Sequence, residues 1–440
     1  MSRYKRPERI ETYWFETYGC QMNLAESNAL KTMLEGVGIT AAIDEKHADI
    51  AIINTCSVRK SAENRVWGRL GNYSRIKKDH PMILIVIGCM AERLLNELQK
   101  DAPWVDYVLG TNDKQKVVEI ATGLDQIHRD DSYTFLENYY KEGDYSTFVP
   151  IMNGCNNFCT YCIVPYVRGR EVSRSAQSIV EEIKFLDSKN VKEITLLGQN
   201  VNSYDFTDDN GNKINFPKLL TKVCEAAKNI EWIRFESPHP KDFSDELIQV
   251  IKNEEKVAKH LHIPLQSGNS RILKKMNRSY DREKYLNLIE KIRKEVANVS
   301  FATDVMVGFP SETEEECLDT LSVMEILRCN EAFMYFWNAR EGTPATKMEG
   351  QISDKIKHER LQRIIDRQQE IFGEVKSIRA NGIHRVLFTK ESRNDKAQML
   401  ARDEHNQMVT FTPKYELTPG DIIEVEYISV KGNTIIGKQV

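Results

Sequence analysis

Buried strands and helices alternate along most of this sequence, and that alternation limits its possible folds more than any other feature. In the first part of the chain, strands are predicted over 13–18, 49–54, 82–87 and 105–109, with helices between them. Successive strand–helix units favour a parallel sheet covered by helices on both faces. We therefore expect an N-terminal α/β domain with a doubly wound parallel sheet over residues 1–125.

A second, longer run of alternation follows an acidic, Tyr-rich stretch at 126–146 that we interpret as a linker. Strands are predicted over 148–152, 193–197, 232–236, 260–264, 301–307 and 332–337. Six strand–helix units in about 200 residues indicate a partial (β/α)6 barrel rather than a closed eight-fold barrel. A long polar helix over 354–378 ends this region, and the central domain is assigned to residues 147–375.

The last segment, residues 376–440, changes character. Short strands are predicted over 385–388, 398–402, 408–411, 422–427 and 434–436. Turn residues such as Pro419-Gly420 and Gly432-Asn433 separate some of them. Short strands with turns between them predict a small all-β barrel.

Composition excludes several classes of protein. The chain has 440 residues, of which 41% are hydrophobic and 29% charged, as in globular proteins. The longest aliphatic run, 82–87, is too short to cross a membrane, and we see no secretory-signal pattern in the charged residues 1–11. We therefore expect a cytoplasmic protein. In that reducing compartment, nine cysteines favour metal binding or catalysis over disulfides.

Three cysteines directly after the first central strand have the spacing of an iron–sulfur site. Cys155, Cys159 and Cys162 form a C-x3-C-x2-C motif. A [4Fe–4S] cluster normally takes four ligands, so three thiolates leave one iron open for a substrate or cofactor. Zinc is the alternative, but it prefers four protein ligands, and no fourth Cys or His lies close in sequence. We therefore expect a cluster here.

A second set of cysteines is dispersed along the N-terminal domain. Cys20, Cys56 and Cys89 each follow a predicted strand and precede a helix. Because the carboxyl ends of neighbouring parallel strands share one edge of a sheet, these thiols should converge. Buried free thiols are the alternative, but their position at three strand–helix junctions favours a second three-thiolate cluster. The remaining cysteines are expected to fill the core: Cys224, Cys317 and Cys329.

Several short motifs make the sequence resemble the radical S-adenosylmethionine (SAM) methylthiotransferase family over nearly its whole length. They lie at 19–23, 54–59, 88–89, 164–174, 198–202, 262–268 and 307–313. The Gln21-Met22-Asn23 text after Cys20 is similar to the branch that modifies isopentenyladenosine beside the tRNA anticodon. The resemblance implies a cluster-bearing N-terminal domain, a radical SAM domain and a C-terminal TRAM-like barrel.

The same resemblance implies a reaction with two [4Fe–4S] clusters and two SAM molecules per turnover. One SAM methylates a sulfur held on the cluster of Cys20, Cys56 and Cys89. A second SAM, on the other cluster, is cleaved to methionine and a 5′-deoxyadenosyl radical. The radical removes hydrogen from C2 of N6-isopentenyladenosine, and the methylthio group is attached there. All six cysteines are thus predicted metal ligands and part of the catalytic machinery.

Candidate SAM-binding residues lie near the carboxyl ends of the predicted barrel strands, where active sites of barrels gather. They are Gln199, Asn200, Gln266 and Gly308. Turn formation is the alternative for each of them. His239 lies between two prolines at another strand end and suits an ordinary turn equally well.

Any RNA-binding surface must be local, because the net charge is −4. Residues 376–402 hold seven Lys or Arg against two Asp or Glu, whereas 403–440 hold three against six. This asymmetry predicts one basic face for a tRNA backbone, with a solvated charge run as the alternative. Phe388, Phe411 and Tyr415 are candidates for base stacking, with core packing as the alternative.

Other functions stay open on the sequence alone. The same chemistry could act on threonylcarbamoyladenosine in tRNA or on a ribosomal protein, and a non-catalytic iron–sulfur RNA-binding protein is a further alternative. The expected partners are tRNA, an electron donor and a sulfur donor, with no membrane, and a monomer is expected.

Overall fold

The computed structural model describes residues 5–57, 60–123, 133–136, 140–393 and 395–440. Of the linker predicted over 126–146, residues 126–132 and 137–139 lie outside this described part, as do the last two residues of the 54–59 motif. The described residues form a parallel sheet, a partial barrel and a small closed barrel, in that order.

The N-terminal unit is a parallel sheet of five strands in the order β2-β1-β3-β4-β5. Its strands are β1 (Thr12–Thr17), β2 (Thr40–Ala41), β3 (Ile50–Thr55), β4 (Ile83–Gly88) and β5 (Tyr107–Leu109). Its helices are α1 (Gln21–Gly36), α2 (Lys60–Asp79), α3 (Cys89–Arg93), α4 (Leu95–Asp101) and α5 (Lys116–Ala121). The predicted doubly wound sheet is confirmed.

The sequence of β3 explains why helices cover both faces of this sheet. All six residues of the strand are buried, because alternate side chains enter two separate cores. Ile50 and Ile52 pack on one face with Leu30 of α1. Ala51 and Ile53 pack on the other face with aliphatic residues of α2.

The central unit contains six parallel strands of a partial barrel. The strands of this unit are β6 (Ser146–Pro150), β7 (Met152–Asn153), β8 (Val172–Ser173), β9 (Glu193–Leu197), β10 (Asp205–Thr207), β11 (Lys213–Asn215), β12 (Trp232–Phe235), β13 (His260–His262), β14 (Ser300–Val307) and β15 (Glu331–Phe336). The barrel strands form two parallel sheets, β6-β9-β12 and β13-β14-β15, and a parallel bridge between Ile233 and Val257 links them. The predicted (β/α)6 arrangement is confirmed.

Helices cover the outside of this barrel, except for the first, which lies at the junction with the N-terminal unit. They are α6 (Val164–Arg168), α7 (Ala176–Ser188), α8 (Phe216–Ala226), α9 (Asp245–Asn253), α10 (Ser270–Lys275), α11 (Arg282–Glu295), α12 (Glu314–Leu327) and α13 (Asp354–Arg379). Polar side chains cap the amino ends of several of these helices. At α12, the Thr313 hydroxyl accepts a hydrogen bond from the Glu316 backbone, while the Glu316 carboxylate accepts one from Thr313, which completes a capping box.

The C-terminal unit is a closed barrel of five strands, which confirms the predicted all-β barrel. Its strands are β16 (Ile383–Glu391), β17 (Met399–Asp403), β18 (Met408–Phe411), β19 (Ile422–Lys431) and β20 (Thr434–Gln439). Phe388 and Phe411 are buried inside it, whereas Tyr415 is exposed. Core packing therefore accounts for two of the three aromatic residues considered for base stacking.

The turn between β17 and β18, residues 403–407, closes the amino end of the central barrel. Arg234 donates hydrogen bonds to the carbonyls of Asp403 and Glu404, at 3.0 and 2.8 Å. The Glu404 carboxylate accepts a bond from the backbone of Lys259, which precedes β13, at 2.9 Å. The small barrel is therefore built onto the floor of the central one.

The six central strands lie within two residues of their predicted bounds. The sequence analysis missed the short β2 and the antiparallel pairs β7–β8 and β10–β11, whose strands have only two or three residues and show no hydrophobic period. Within the described part of the chain, no helix combines the length and apolarity needed to span a membrane.

Candidate active site

The three N-terminal cysteines lie at the carboxyl edge of the sheet, as predicted. Cys20 precedes α1, Cys56 follows β3, and Cys89 is the first residue of α3. The strands before them, β1, β3 and β4, are direct neighbours. Cys56 and Cys89 are buried and Cys20 is exposed. We call these residues the N-terminal triplet.

Two glycines let the loops of the N-terminal triplet approach each other. Gly19 has a φ of +137°, and a Cβ added there would lie 2.5 Å from the Cβ of Cys56. Gly88 has a φ of +96°, and its added Cβ would lie 2.5 Å from the carbonyl oxygen of Thr55. Larger residues at either position would push the cysteine loops apart.

The environment of Cys20 favours its thiolate. A hydrogen bond with Cys56 lowers the pKa of Cys20 to about 6, although desolvation of the sulfur atom of this otherwise exposed residue acts in the opposite direction. The guanidinium of Arg168 and the backbone of Asn23 lower this pKa further. Because the thiolate is the form that binds metals, this corner of the sheet is suited to a soft metal centre.

The second group of cysteines, the central triplet, lies on the loop between β7 and α6. Cys155 and Cys159 are buried and Cys162 is half-buried. Burial raises the pKa of Cys162 to about 12, and the neighbouring thiols of Cys159 and Cys155 raise it as well. The three sulfur atoms therefore lie close enough to interact electrostatically.

Polar side chains reach the sulfurs of the central triplet. Asn157 Nδ2 donates to Cys155 Sγ at 3.5 Å, and Arg278 Nη1 donates to Cys159 Sγ at 3.3 Å. Arg278 follows α10, more than a hundred residues along the chain from Cys159, and no local spacing in the sequence indicated this contact. Hydrogen bonds to sulfur are among the factors that set the reduction potential of an iron–sulfur cluster.

Over the described ranges of the chain, no three His, Cys, Asp or Glu side chains gather where one metal ion could bind them. Ligands of one zinc ion all lie about 2.0–2.3 Å from it. The thiolates of a cubane each bind a different iron.

Gln199 and Asn200 directly follow β9. Gln199 contacts the loop of the central triplet, whereas Asn200 contacts another loop at the same end of the barrel. Gln199 Oε1 accepts a hydrogen bond from the Gly154 backbone at 2.6 Å, next to Cys155. Asn200 Nδ2 donates to Asp242 at 3.0 Å. The Oδ1 atom of Asn200 is buried and has no hydrogen-bond partner among the described residues, so it is available to a ligand.

The other candidates lie on turns at the same end of the barrel. Gln266 has a φ of +64° and bridges to β14. The Gly308 backbone donates to Glu312 at 2.7 Å, and a Cβ at this glycine would lie 2.5 Å from the side chain of Lys357. His239 accepts a hydrogen bond from the Lys241 backbone at 3.2 Å, and burial lowers its pKa to about 2. His239 is thus a neutral turn residue.

A charged group inside the barrel was not anticipated from the sequence. His262, the last residue of β13, lies 3.1 Å from Glu236 and 2.8 Å from Asp304. Burial alone would lower the pKa of His262, but hydrogen bonds with these two carboxylates raise it to about 10. The ring is therefore an imidazolium. His262 ends β13 and Glu236 directly follows β12. Their position at strand ends could have identified them as candidate site residues from the sequence.

The two triplets face each other across the junction of the first two units. Cys89 packs against Ile163 and Val167. These two residues belong to the segment that follows Cys162 in the chain. The Thr111 hydroxyl donates to the Val167 carbonyl at 2.6 Å. The carboxyl edge of the N-terminal sheet therefore lies on the carboxyl end of the barrel.

Comparison with protein families matches both parts of this site. Residues 149–324 match the radical SAM superfamily, and residues 12–110 match a group described as uncharacterized protein family UPF0004. The central triplet lies within the first match and the N-terminal triplet within the second.

Solved structures share the fold at low sequence identity. TsrM from Kitasatospora setae, a radical SAM methyltransferase with cobalamin and a [4Fe-4S] cluster bound, aligns with a TM-score of 0.56 at 13% identity, over 76% of this chain and 77% of that one. The cobalamin-dependent radical enzyme OxsB, with aqua-cobalamin and SAM bound, aligns with a TM-score of 0.51 at 12% identity, over 82% of this chain and 56% of that one. These likenesses concern the fold alone.

Curated relatives are far more similar in sequence. The tRNA-2-methylthio-N(6)-dimethylallyladenosine synthase of Treponema pallidum (strain Nichols) is 43% identical, over 96% of this chain and 98% of the relative. The synthase of the same name from Clostridium perfringens (strain 13 / Type A) is 40% identical, over 97% of each chain. With this identity along nearly the full length, the chain belongs to the tRNA-2-methylthio-N(6)-dimethylallyladenosine synthase family of radical SAM enzymes.

Proposed function

We propose that this enzyme attaches a methylthio group to C2 of N6-isopentenyladenosine beside the anticodon of tRNA. The observation that carries the proposal is the placement of two thiol triplets on facing edges of two units, where Cys89 packs beside the loop of the central triplet. Such an arrangement lets a sulfur carrier and a radical source act on one target atom from two sides. The names of the curated relatives support the same reaction.

Each triplet is suited to hold one [4Fe–4S] cluster through three cysteines, with a fourth iron left open. When bound, the clusters and two SAM molecules per turnover would supply a methylated sulfur and a 5′-deoxyadenosyl radical. The three-thiolate donor sets support this fit. All six cysteines are therefore proposed as metal ligands.

The residues of the chain have separate tasks around these groups. Arg278 and Asn157 donate hydrogen bonds to sulfurs of the central triplet, which stabilises negative charge there. Gln199 fixes the backbone before Cys155. The unpaired Oδ1 of Asn200 is the acceptor that we assign to bound SAM.

Gln266 and Gly308 stay candidates for contacts with SAM through their backbones. Both lie on turns at the end of the barrel that faces the N-terminal triplet. Gly308 has a φ of +71°, which favours glycine and brings the chain close to Lys357. His239 is better explained as a turn residue.

The tRNA is proposed to bind along an exposed part of the small barrel. Four of the seven basic residues in 376–402 bond within the protein instead, namely Lys376, Arg379, Arg385 and Arg402. The other three are exposed and lie around the loop between β16 and β17. We call Lys390, Arg393 and Lys396 the basic tip. Their charges are available to phosphates.

We assign residues 1–125 to the N-terminal cluster domain, 147–375 to the radical SAM domain and 376–440 to the TRAM domain, with 126–146 as a linker. The reaction also requires an electron donor and a sulfur donor. We place it in the cytoplasm, where its proposed substrate is found, and expect a monomer.

The experiment that tests this proposal compares nucleosides of tRNA from cells with and without the gene. We expect cells without the gene to lose 2-methylthio-N6-isopentenyladenosine. The intact chain should restore this nucleoside, whereas a chain with either cysteine triplet changed to alanine should not. Loss of methylthiolated threonylcarbamoyladenosine, or of a ribosomal-protein modification, would assign another substrate. Absence of 5′-deoxyadenosine release from SAM by the reduced protein would argue for a non-catalytic role.

A further inference from the structure

Arg168 at the end of α6 reaches from the barrel into the N-terminal unit, where it is buried. Its Nη1 atom donates to Glu26 Oε1 at 3.0 Å and to Asn153 Oδ1 at 2.8 Å. Its Nη2 atom donates to Asn23 Oδ1 at 3.2 Å and to Glu26 Oε2 at 3.3 Å. One guanidinium thus binds residues of both units, in the fixed fork geometry that lysine cannot reproduce.

The partners of Arg168 lie next to both triplets. Asn153 precedes Cys155 by two residues and also donates to the Arg168 carbonyl at 3.2 Å. The Oδ1 atom of Asn23 lies 3.6 Å from Cys20 Sγ. The guanidinium itself interacts electrostatically with the thiols of Cys20 and Cys89. Arg168 therefore bonds to Asn153, beside the loop of the central triplet, and also interacts with the thiols of the N-terminal triplet.

In this buried network, two basic side chains pair with one carboxylate. Glu26 is paired with Arg168 and, from the other side, with Lys114. It also accepts a hydrogen bond from Tyr133 at 3.2 Å. Burial lowers the pKa of Lys114, so the permanent positive charge beside the N-terminal triplet is that of Arg168. By contrast, the buried Arg174 faces a single carboxylate, Glu182, with no cysteine among its bonded partners.

We propose that Arg168 is a positioning residue for sulfur transfer, which holds the N-terminal triplet opposite the central triplet and keeps a permanent positive charge beside its thiolates. The reduced form of a cluster carries one more negative charge than the oxidised form. A neighbouring cation therefore raises the reduction potential, and a neighbouring carboxylate lowers it. The positioning role rests on the proposed function, whereas the effect on potential requires only that a cluster binds.

The decisive test measures the reduction potential of the N-terminal cluster in the full chain, with the central triplet changed to alanine so that one cluster remains. We expect Arg168→Gln to lower this potential and Glu26→Gln to raise it. Arg174→Gln is the matched control, because it removes a buried arginine of the same domain and should cause no shift. Shifts of equal sign in the first two variants, or no shift in either, would overturn the proposal, since damage to packing alone has no reason to produce opposite signs.

A second experiment uses the chain with both triplets intact. It measures the ratio of methylthio product formed to 5′-deoxyadenosine released. Arg168→Lys keeps the charge without the fork, so the potential should stay near that of the wild type while this ratio falls on the order of tenfold. A ratio equal to that of the wild type would overturn the positioning role. If Arg168→Gln fails to retain its cluster, Glu26→Gln and Arg168→Lys decide the test. Failure of the proposed function would appear differently, as a wild-type enzyme that forms no methylthio product.

Discussion

The substitution Gly88→Ala tests whether the close approach of β3 and β4 assembles the N-terminal triplet. Gly88 has φ +96° and ψ −162°, a region adopted essentially by glycine alone. An added Cβ would lie 2.5 Å from the Thr55 carbonyl oxygen and 2.6 Å from Asn54 Oδ1. Thr55 and Gly88 are paired in the sheet, so the backbone oxygen cannot withdraw without loss of strand pairing.

The strained backbone conformation costs roughly 1–3 kcal/mol. The steric overlap costs roughly 1–3 kcal/mol more. We therefore expect the N-terminal unit to lose about 2–6 kcal/mol of stability, and the next residue, Cys89, to shift away from the other thiols. Urea unfolding followed by circular dichroism measures the stability, and iron content measures cluster assembly. The variant should retain about half of the iron, that of the central cluster.

Gly71→Ala in α2 is the control, because nothing lies within 4 Å of its added Cβ. Alanine is the better helix former, so this variant should gain roughly 0.5–1 kcal/mol. The reasoning would be refuted if Gly88→Ala bound the full amount of iron and unfolded at the same urea concentration as the wild type.

Changing the central triplet to alanine should leave about half of about eight irons and abolish SAM cleavage; retained cleavage would contradict its assignment. Changing the N-terminal triplet should abolish methylthio product while reductive SAM cleavage continues, which product analysis and 5′-deoxyadenosine release measure together. Reversing the basic tip to glutamate should weaken tRNA binding and reduce the slope of log affinity against log salt by about 2–3; equal slopes would place the RNA elsewhere. His262 has a folded-state pKa raised from 6.5 to about 10, so its contribution to stability is complete below about pH 6.5 and is lost as the pH rises through about 10. The free energy of unfolding of His262→Gln should therefore be lower than that of the wild type at neutral pH and equal to it above about pH 10. A difference that does not depend on pH would exclude this origin.

The strands and the cysteine positions could be predicted because both depend on local sequence. Runs such as 50–55 and 83–88 are buried on both faces, so their aliphatic composition identifies them without knowledge of the partner strand. Cysteines at the ends of such strands must then meet at one edge of the sheet. The N-terminal triplet was therefore predictable even though its members are far apart in sequence.

The role of the basic residues was less predictable from composition. The stretch 376–402 has an excess of positive charge, but Arg402 pairs with Glu193 and Arg385 with Glu231, both in the central unit. A count of charges cannot distinguish a residue that faces RNA from one that closes a domain interface, since both are basic side chains on short strands. Only the positions of the facing carboxylates reduce the predicted surface to the basic tip.

The sequence by itself determined the order of the sheet, the partial barrel and the small barrel, and the family, because hydrophobic period and motif text are properties of nearby residues. It also predicts the six cysteines as ligands. Tertiary structure alone decided which charges meet. Arg278 reaches Cys159, and Arg168 of the central unit reaches Glu26 of the N-terminal unit. Each of these contacts joins elements more than a hundred residues apart. They form because packing the sheet edge onto the barrel buries polar groups that must then pair, and no local pattern encodes which partner each will meet.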